Sequence, residues 1–196
     1  ELVSGYEYLG MKDMLVAERI RLKPTRTNSG VATVTVLSKP FPCPGGCIFC
    51  PNDMNMPKSY ISSEPGAQRA LSNGFDPYAQ VYNRLVALRN IGHNIEKVEL
   101  LVLGGSWSAY PDEYRIAFTK ACFDALNDMT PNSHEYIKPR ECIPSSSWED
   151  LYEAQNVNET AYCRNVGLVF ETRPDLVTED EAITLRRLGS TKVQIG

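Results

Sequence analysis

Cys43, Cys47 and Cys50 fall within eight residues and form the densest set of metal-ligating side chains in the 196-residue chain. Thiolates are soft donors that suit zinc or iron–sulfur clusters. Structural zinc takes four protein ligands, commonly as two short pairs. The spacing here is C-x-x-x-C-x-x-C, with no fourth cysteine nearby. A cubane cluster held by three cysteines leaves one iron free for a substrate, and the spacing favours that reading. Zinc stays open as the alternative, with a fourth ligand from His93, His134, Cys142 or Cys163. Of these, His93 follows the glycine that ends a helix and His134 lies in an irregular polar stretch, so both read as surface residues. Cys122 falls in a helical pattern with Phe118, Ala121 and Ala125 and reads as a small core residue.

The elements that must position the cysteines follow from periodicity. Val31 to Leu37 is β-branched and apolar, and reads as a buried strand. A loop from Pro42 to Gly74 follows, with one helical turn around Pro65–Leu71; loops this long inside a compact domain are usually functional. Pro77 to Ile91 is a helix stopped by Gly92, and Val98 to Leu103 a strand ending in Gly104-Gly105. Asp112 to Leu126 and Trp148 to Ala161 read as helices, Val166 to Glu171 as a strand, Thr178 to Leu188 as a helix ended by Gly189, and 192–196 as a fourth strand. Residues 11–22 read as a short helix. The alternation predicts an α/β fold with a parallel sheet and helices outside. In such sheets function gathers beyond the carboxyl ends of the strands. There the cysteine loop, the Gly104-Gly105-Ser106 turn and Glu171-Thr172-Arg173-Pro174 converge.

The three-cysteine spacing directly after a first strand, with Phe49 before the third cysteine, resembles the radical S-adenosylmethionine superfamily. That resemblance implies a partial (βα)6 TIM-like barrel, of which the chain covers about the first four strands. It implies a 4Fe-4S cluster on Cys43, Cys47 and Cys50, whose free iron chelates S-adenosylmethionine and whose electron releases a 5′-deoxyadenosyl radical. Phe49 would lie near the adenine, and Gly104 and Gly105 near the methionine amino group. Ser106 stands where the superfamily motif usually has Glu. Glu171 and Arg173 complete the implied S-adenosylmethionine-binding set.

Further stretches narrow the resemblance. They are 23–32, Ser38-Lys39-Pro40, Pro57-Lys58-Ser59-Tyr60, Glu64-Pro65-Gly66-Ala67-Gln68-Arg69-Ala70, Asp76-Pro77-Tyr78, 92–99 and 171–175. Together they look like the catalytic subunit of Elongator in a short bacterial or archaeal form, from about residue 20 to the end. The resemblance implies modification of the tRNA wobble uridine at carbon 5 with a carboxymethyl-type group drawn from acetyl-CoA. It also implies an acetyltransferase-like domain, and a second copy or Elongator-like subunits as partners. Lys97 matches a family lysine assigned to acetyl-CoA, and a cation suits a phosphate-bearing ligand. Lys58, Tyr60 and Glu64 are candidates for substrate or interdomain contacts. The chain stops at its fourth strand without an acetyltransferase motif, so part of a longer protein is expected. The division expected is a lead-in segment, residues 1–28, and a radical core, 29–196. Two other readings remain: a different radical enzyme acting on RNA or a small molecule, and a non-catalytic zinc-bearing adaptor.

Composition sets the bounds. With 42% hydrophobic and 22% charged residues the chain reads as soluble and globular. There is no apolar run of membrane-spanning length and no signal-peptide pattern at the start, so no membrane association and a cytoplasmic location are expected. In such a reducing compartment clustered cysteines bind metal rather than pair. The net charge of −4 argues against a dedicated nucleic-acid binder, but residues 1–60 carry seven Lys/Arg against five Asp/Glu. Arg19, Arg21, Lys23 and Arg26 are the expected phosphate contacts for tRNA.

Overall fold

A computed structural model describes residues 21, 23–51 and 53–196. The expected helix over 11–22 and the candidate Arg19 lie outside the described residues, apart from Arg21. The strands are β1 (Ala32–Leu37), β2 (Lys97–Leu103), β3 (Arg164–Thr172) and β4 (Lys192–Ile195). They form one sheet in the order β1-β2-β3-β4, every pair parallel. The helices are α1 (Pro65–Ser72), α2 (Pro77–Asn90), α3 (Asp112–Asn127), α4 (Trp148–Asn158) and α5 (Glu179–Arg187). This is the α/β architecture expected from the alternation, with the four parallel strands expected of a partial barrel. Three limits differ from expectation, the first being that β3 begins at Arg164 rather than Val166. Helix α1 is eight residues rather than one turn, and α4 stops at Asn158, where the Asn158 side chain bonds instead to Cys163 O and Asn165 N.

The core lies between the sheet and one helical layer. Val34, Val36, Leu100, Val102, Leu168 and Phe170 pack against Leu85, Phe118, Leu126 and Leu151. Burial of such side chains stabilises by about 1.5–3 kcal/mol each. The opposite face of the sheet is not buried along its length as an apolar strand reading implies. Thr33 and Val166 are exposed and Thr35, Glu99 and Leu101 half-exposed, so β1 alternates with period two. Helix ends are set by side chains: Asp76 caps α2 through Tyr78 N, Ser147 and Asp150 form a capping box on α4, and Thr178 caps α5. The irregular stretch 128–147 is tied down by Arg140, whose guanidinium meets the buried Asp76 carboxylate at 2.7 Å. Among the described residues no helix is long and apolar enough to cross a membrane.

Candidate active site

Strand direction gathers the candidates. Because all strands are parallel, the segments after β1, β2 and β3 leave the sheet at one rim. The cysteine loop follows β1 by way of Ser38, which is fully buried and bonds to Tyr110 Oη at 2.8 Å. A Cβ on Gly104 would collide with that Ser38 hydroxyl. Gly105 has φ +77°, and a Cβ there would stand 2.5 Å from Lys58 O. The glycine pair therefore lets two loops approach backbone to backbone, a local reason for glycine independent of any ligand.

Each cysteine sulfur has a polar neighbour. Cys43 Sγ is hydrogen-bonded to Ser106 Oγ at 3.1 Å and accepts from Gly45 N. Arg173 Nη1 donates to Cys47 Sγ at 3.4 Å, while its other nitrogens hold Asp175. Cys50 Sγ lies 3.7 Å from Ser59 Oγ. Burial alone disfavours the Cys43 thiolate, but the Ser106 hydroxyl, the Gly45 N–H and the nearby Arg173 charge outweigh it, and the Cys43 pKa is lowered. Asp175 raises the already basic Arg173 further, so it stays cationic.

Tyr60 and Glu171 close the rim, with Tyr60 Oη donating to Glu171 Oε2 at 2.5 Å. Burial and then this carboxylate push the Tyr60 phenol well above its ordinary value, so it remains a donor. Lys58 and Glu64 are half-buried on the same segment, which Met56 anchors in a small core with Leu37, Ala67 and Ala70. Phe49 and Ile48 at the loop tip are 92% and 89% exposed.

The donor set fits an iron–sulfur cluster. All three cysteines are free thiols on one rim loop, and the N–H and O–H donors around Cys43 favour its thiolate. Among the described residues no three His, Cys, Asp or Glu side chains converge on a single metal position. A cluster takes its thiolates on separate irons, so its ligands need not meet at one point. Of the candidate fourth zinc ligands, Cys142 is exposed and lines a cavity with Lys39 and Arg140, and the other three are placed elsewhere. His93, expected at the surface, is 4% exposed because Thr27 Oγ1 bonds to its Nδ1 at 2.9 Å and packs it under the turn before β1. His134 is half-buried against Asn90. Cys163 is buried just ahead of β3, at the amino end of the sheet, opposite the cysteine rim.

Lys97 is not brought to the rim either. It is exposed at the amino end of β2 and lines an open cavity of about 570 Å³ with Gln155, Asn158, Arg164 and Thr191. Of the basic lead-in residues, Lys23 and Arg26 are exposed and Arg21 half-buried. Sequence reasoning did not single out Ser38, Ser59 or Tyr110 as site residues. A polar residue directly after an apolar strand was the signal for Ser38, whereas Ser59 is marked only by its φ of 76°.

No family model matches the chain. It is 40% identical over 183 residues to a tRNA uridine(34) acetyltransferase of Methanocaldococcus jannaschii, covering 90% of this chain and 31% of that protein. It is 32% identical over 189 residues to human Elongator complex protein 3, covering 91% of this chain and 31% of that one. A solved structure of Methanocaldococcus infernus Elp3 with an N-terminal deletion superposes with a TM-score of 0.58 at 31% identity, over 85% of this chain and 28% of that chain. The chain thus spans about a third of the length of the relatives it matches.

Proposed function

We infer that this chain belongs to the Elongator complex protein 3 family, corresponding to about a third of its relatives' length, and that it carries the radical-generating part of a cytoplasmic tRNA wobble-uridine-modifying enzyme. One observation carries the reading: three cysteine sulfurs, each beside a polar partner, stand on the rim where the loops after β1, β2 and β3 meet. When bound, a 4Fe-4S cluster with S-adenosylmethionine supplies the one-electron cleavage that yields a carbon radical.

The chain's own residues bind and orient. Cys43, Cys47 and Cys50 supply thiolates, with Ser106 and Arg173 stabilising the charge on Cys43. The exposed Phe49 ring is free to stack on a flat heteroaromatic group. Gly104 and Gly105 present backbone to the ligand, and Ser106, where a carboxylate is more usual, is buried with its hydroxyl on Cys43. Glu171, fixed by Tyr60, and Arg173, fixed by Asp175, offer opposite charges to a zwitterionic amino acid. Lys97, beside Arg164 at the far rim, is left to the phosphate-bearing end of acetyl-CoA. tRNA is the substrate, and an acetyltransferase-like domain and Elongator-like subunits or a second copy are its protein partners.

The test is metal analysis of anaerobically prepared protein together with mass spectrometry of nucleosides from treated tRNA. Close to four irons are expected, lost with their absorbance near 400 nm when the three cysteines become Ser. Wobble uridine should gain a carboxymethyl-type group only when S-adenosylmethionine and acetyl-CoA are both supplied, and Cys47→Ala should abolish it. Stoichiometric zinc that survives Cys50→Ser would overturn the reading.

A further inference from the structure

The layer formed by α1 and α2 is short of carboxylates. Between Pro65 and His93 the sequence holds Arg69, Arg84 and Arg89 but one acidic residue, Asp76. Asp76 is buried and already engaged by Arg140. Arg89 donates to Thr130 O at 2.6 Å and lies over the Tyr162 ring. Arg69 and Arg84, both half-buried, and the exposed Arg26 have no ion pair or side-chain hydrogen bond among the described residues.

Two sets of contacts bring these cations onto one flank. Asn73, just past α1, donates to Arg69 O at 2.8 Å and accepts from Asn83 Nδ2 at 2.7 Å, so the end of α1 lies beside Asn83 and Arg84. The Thr27–His93 bond seats the turn bearing Arg26 against the carboxyl end of α2. The charges sense one another. Burial and then Arg26 lower the pKa of Arg69, and burial followed by Arg69 and Arg26 lowers that of Arg84. Such repulsion weakens a fold unless an anion relieves it.

An aromatic ring completes the patch. Asn83 bonds both N and O of Ile137, and Asn90 donates to His134 O, which straps 134–137 along α2. Tyr136, on this strap and within reach of the Arg84 charge, is 63% exposed. Arginine forks match phosphate oxygens, and exposed aromatic rings stack on unpaired bases. We propose that Arg26, Arg69, Arg84 and Tyr136 form a binding site for the phosphate backbone and an unstacked base of RNA. The site lies on the helical flank rather than at the cysteine rim, so it holds a part of the RNA distant from the reacting nucleotide. It rests on the reading that tRNA is the substrate.

The experiment measures tRNA binding to the intact protein across a series of salt concentrations. For the Arg69→Gln/Arg84→Gln double variant, binding about tenfold weaker is expected, with the slope of log affinity against log salt shallower by about two. Its melting temperature should be unchanged or higher, because a repulsion is removed. Tyr136→Ala should weaken binding several-fold on an unchanged slope, and Tyr136→Phe should restore it. A double variant with wild-type affinity and slope overturns the proposal, and so does weaker binding accompanied by a lowered melting temperature, which marks a structural role. Wild-type protein that fails to bind tRNA counts instead against the substrate reading itself.

Discussion

Ser106 gives the Cys43 sulfur its strongest stabilising contact, ahead of the Gly45 N–H and Arg173, and together they overcome the opposing effect of burial. In metal-free protein the pH midpoint for alkylation of Cys43, followed by mass spectrometry, should therefore rise on Ser106→Ala. A rise is expected on Arg173→Gln as well. Unchanged midpoints in both variants would show that the rim does not tune this thiol. The cysteines were legible in sequence because their spacing is local. The Tyr60–Glu171 bond was not, because its partners are 111 residues apart and only the parallel sheet brings them together. The role of Ser106 was hidden for a related reason. The motif position drew attention to a missing carboxylate, while the hydroxyl that is present bonds to a cysteine 63 residues earlier.

Elements were read well where a period or a cap marked them. Helix α2 combines the Asp76 cap, Pro77 in its first turn and buried Val81, Leu85 and Leu88 on one face. Leu85 is fully buried, so Leu85→Ala should destabilise the chain by about 2–5 kcal/mol in a denaturant titration. The stretch 128–147 carried no period, and its order comes from a charge pair that sequence does not display. Arg140→Ala would leave the Asp76 carboxylate, 2% exposed, without its cation. A loss of about 3 kcal/mol is expected, since a buried charge is left unpaired. Proteolysis should then cut first within 128–147. Equal protease resistance in variant and wild type would count against the pair as the anchor of that loop. The buried His93 belongs to the same lesson, because its partner Thr27 lies 66 residues away.

The molecule as a whole carries protons that an unfolded chain would release in alkali. Burial pushes the Cys163 thiol from 9.0 up to about 12 and the Tyr110 phenol from 10.0 up to about 12. Between those values the folded state binds more protons than the unfolded state, so stability falls as pH rises. The contribution is complete below about pH 9 and lost as pH climbs towards 12. Melting temperature should decline steadily over that window, and Cys163→Ala should flatten its lower part. A melting temperature that stays level up to pH 12 would contradict this account. Net charge alone, at −4, gave no hint of it, and it hid the cationic flank on α1 and α2 as well.

Strand order has a consequence for how the chain is made. Each strand pairs with the one synthesised just before it, and the register sets residue 32 against 98 but residue 169 against 192. No strand must wait for a later one to be inserted between two neighbours. The sheet can therefore grow on the ribosome by addition at one edge, with the longest loops closed first and the shortest last. Nascent chains arrested after β3 should already protect the amides of β2 from exchange, while those of β3 remain open on the side that β4 will occupy.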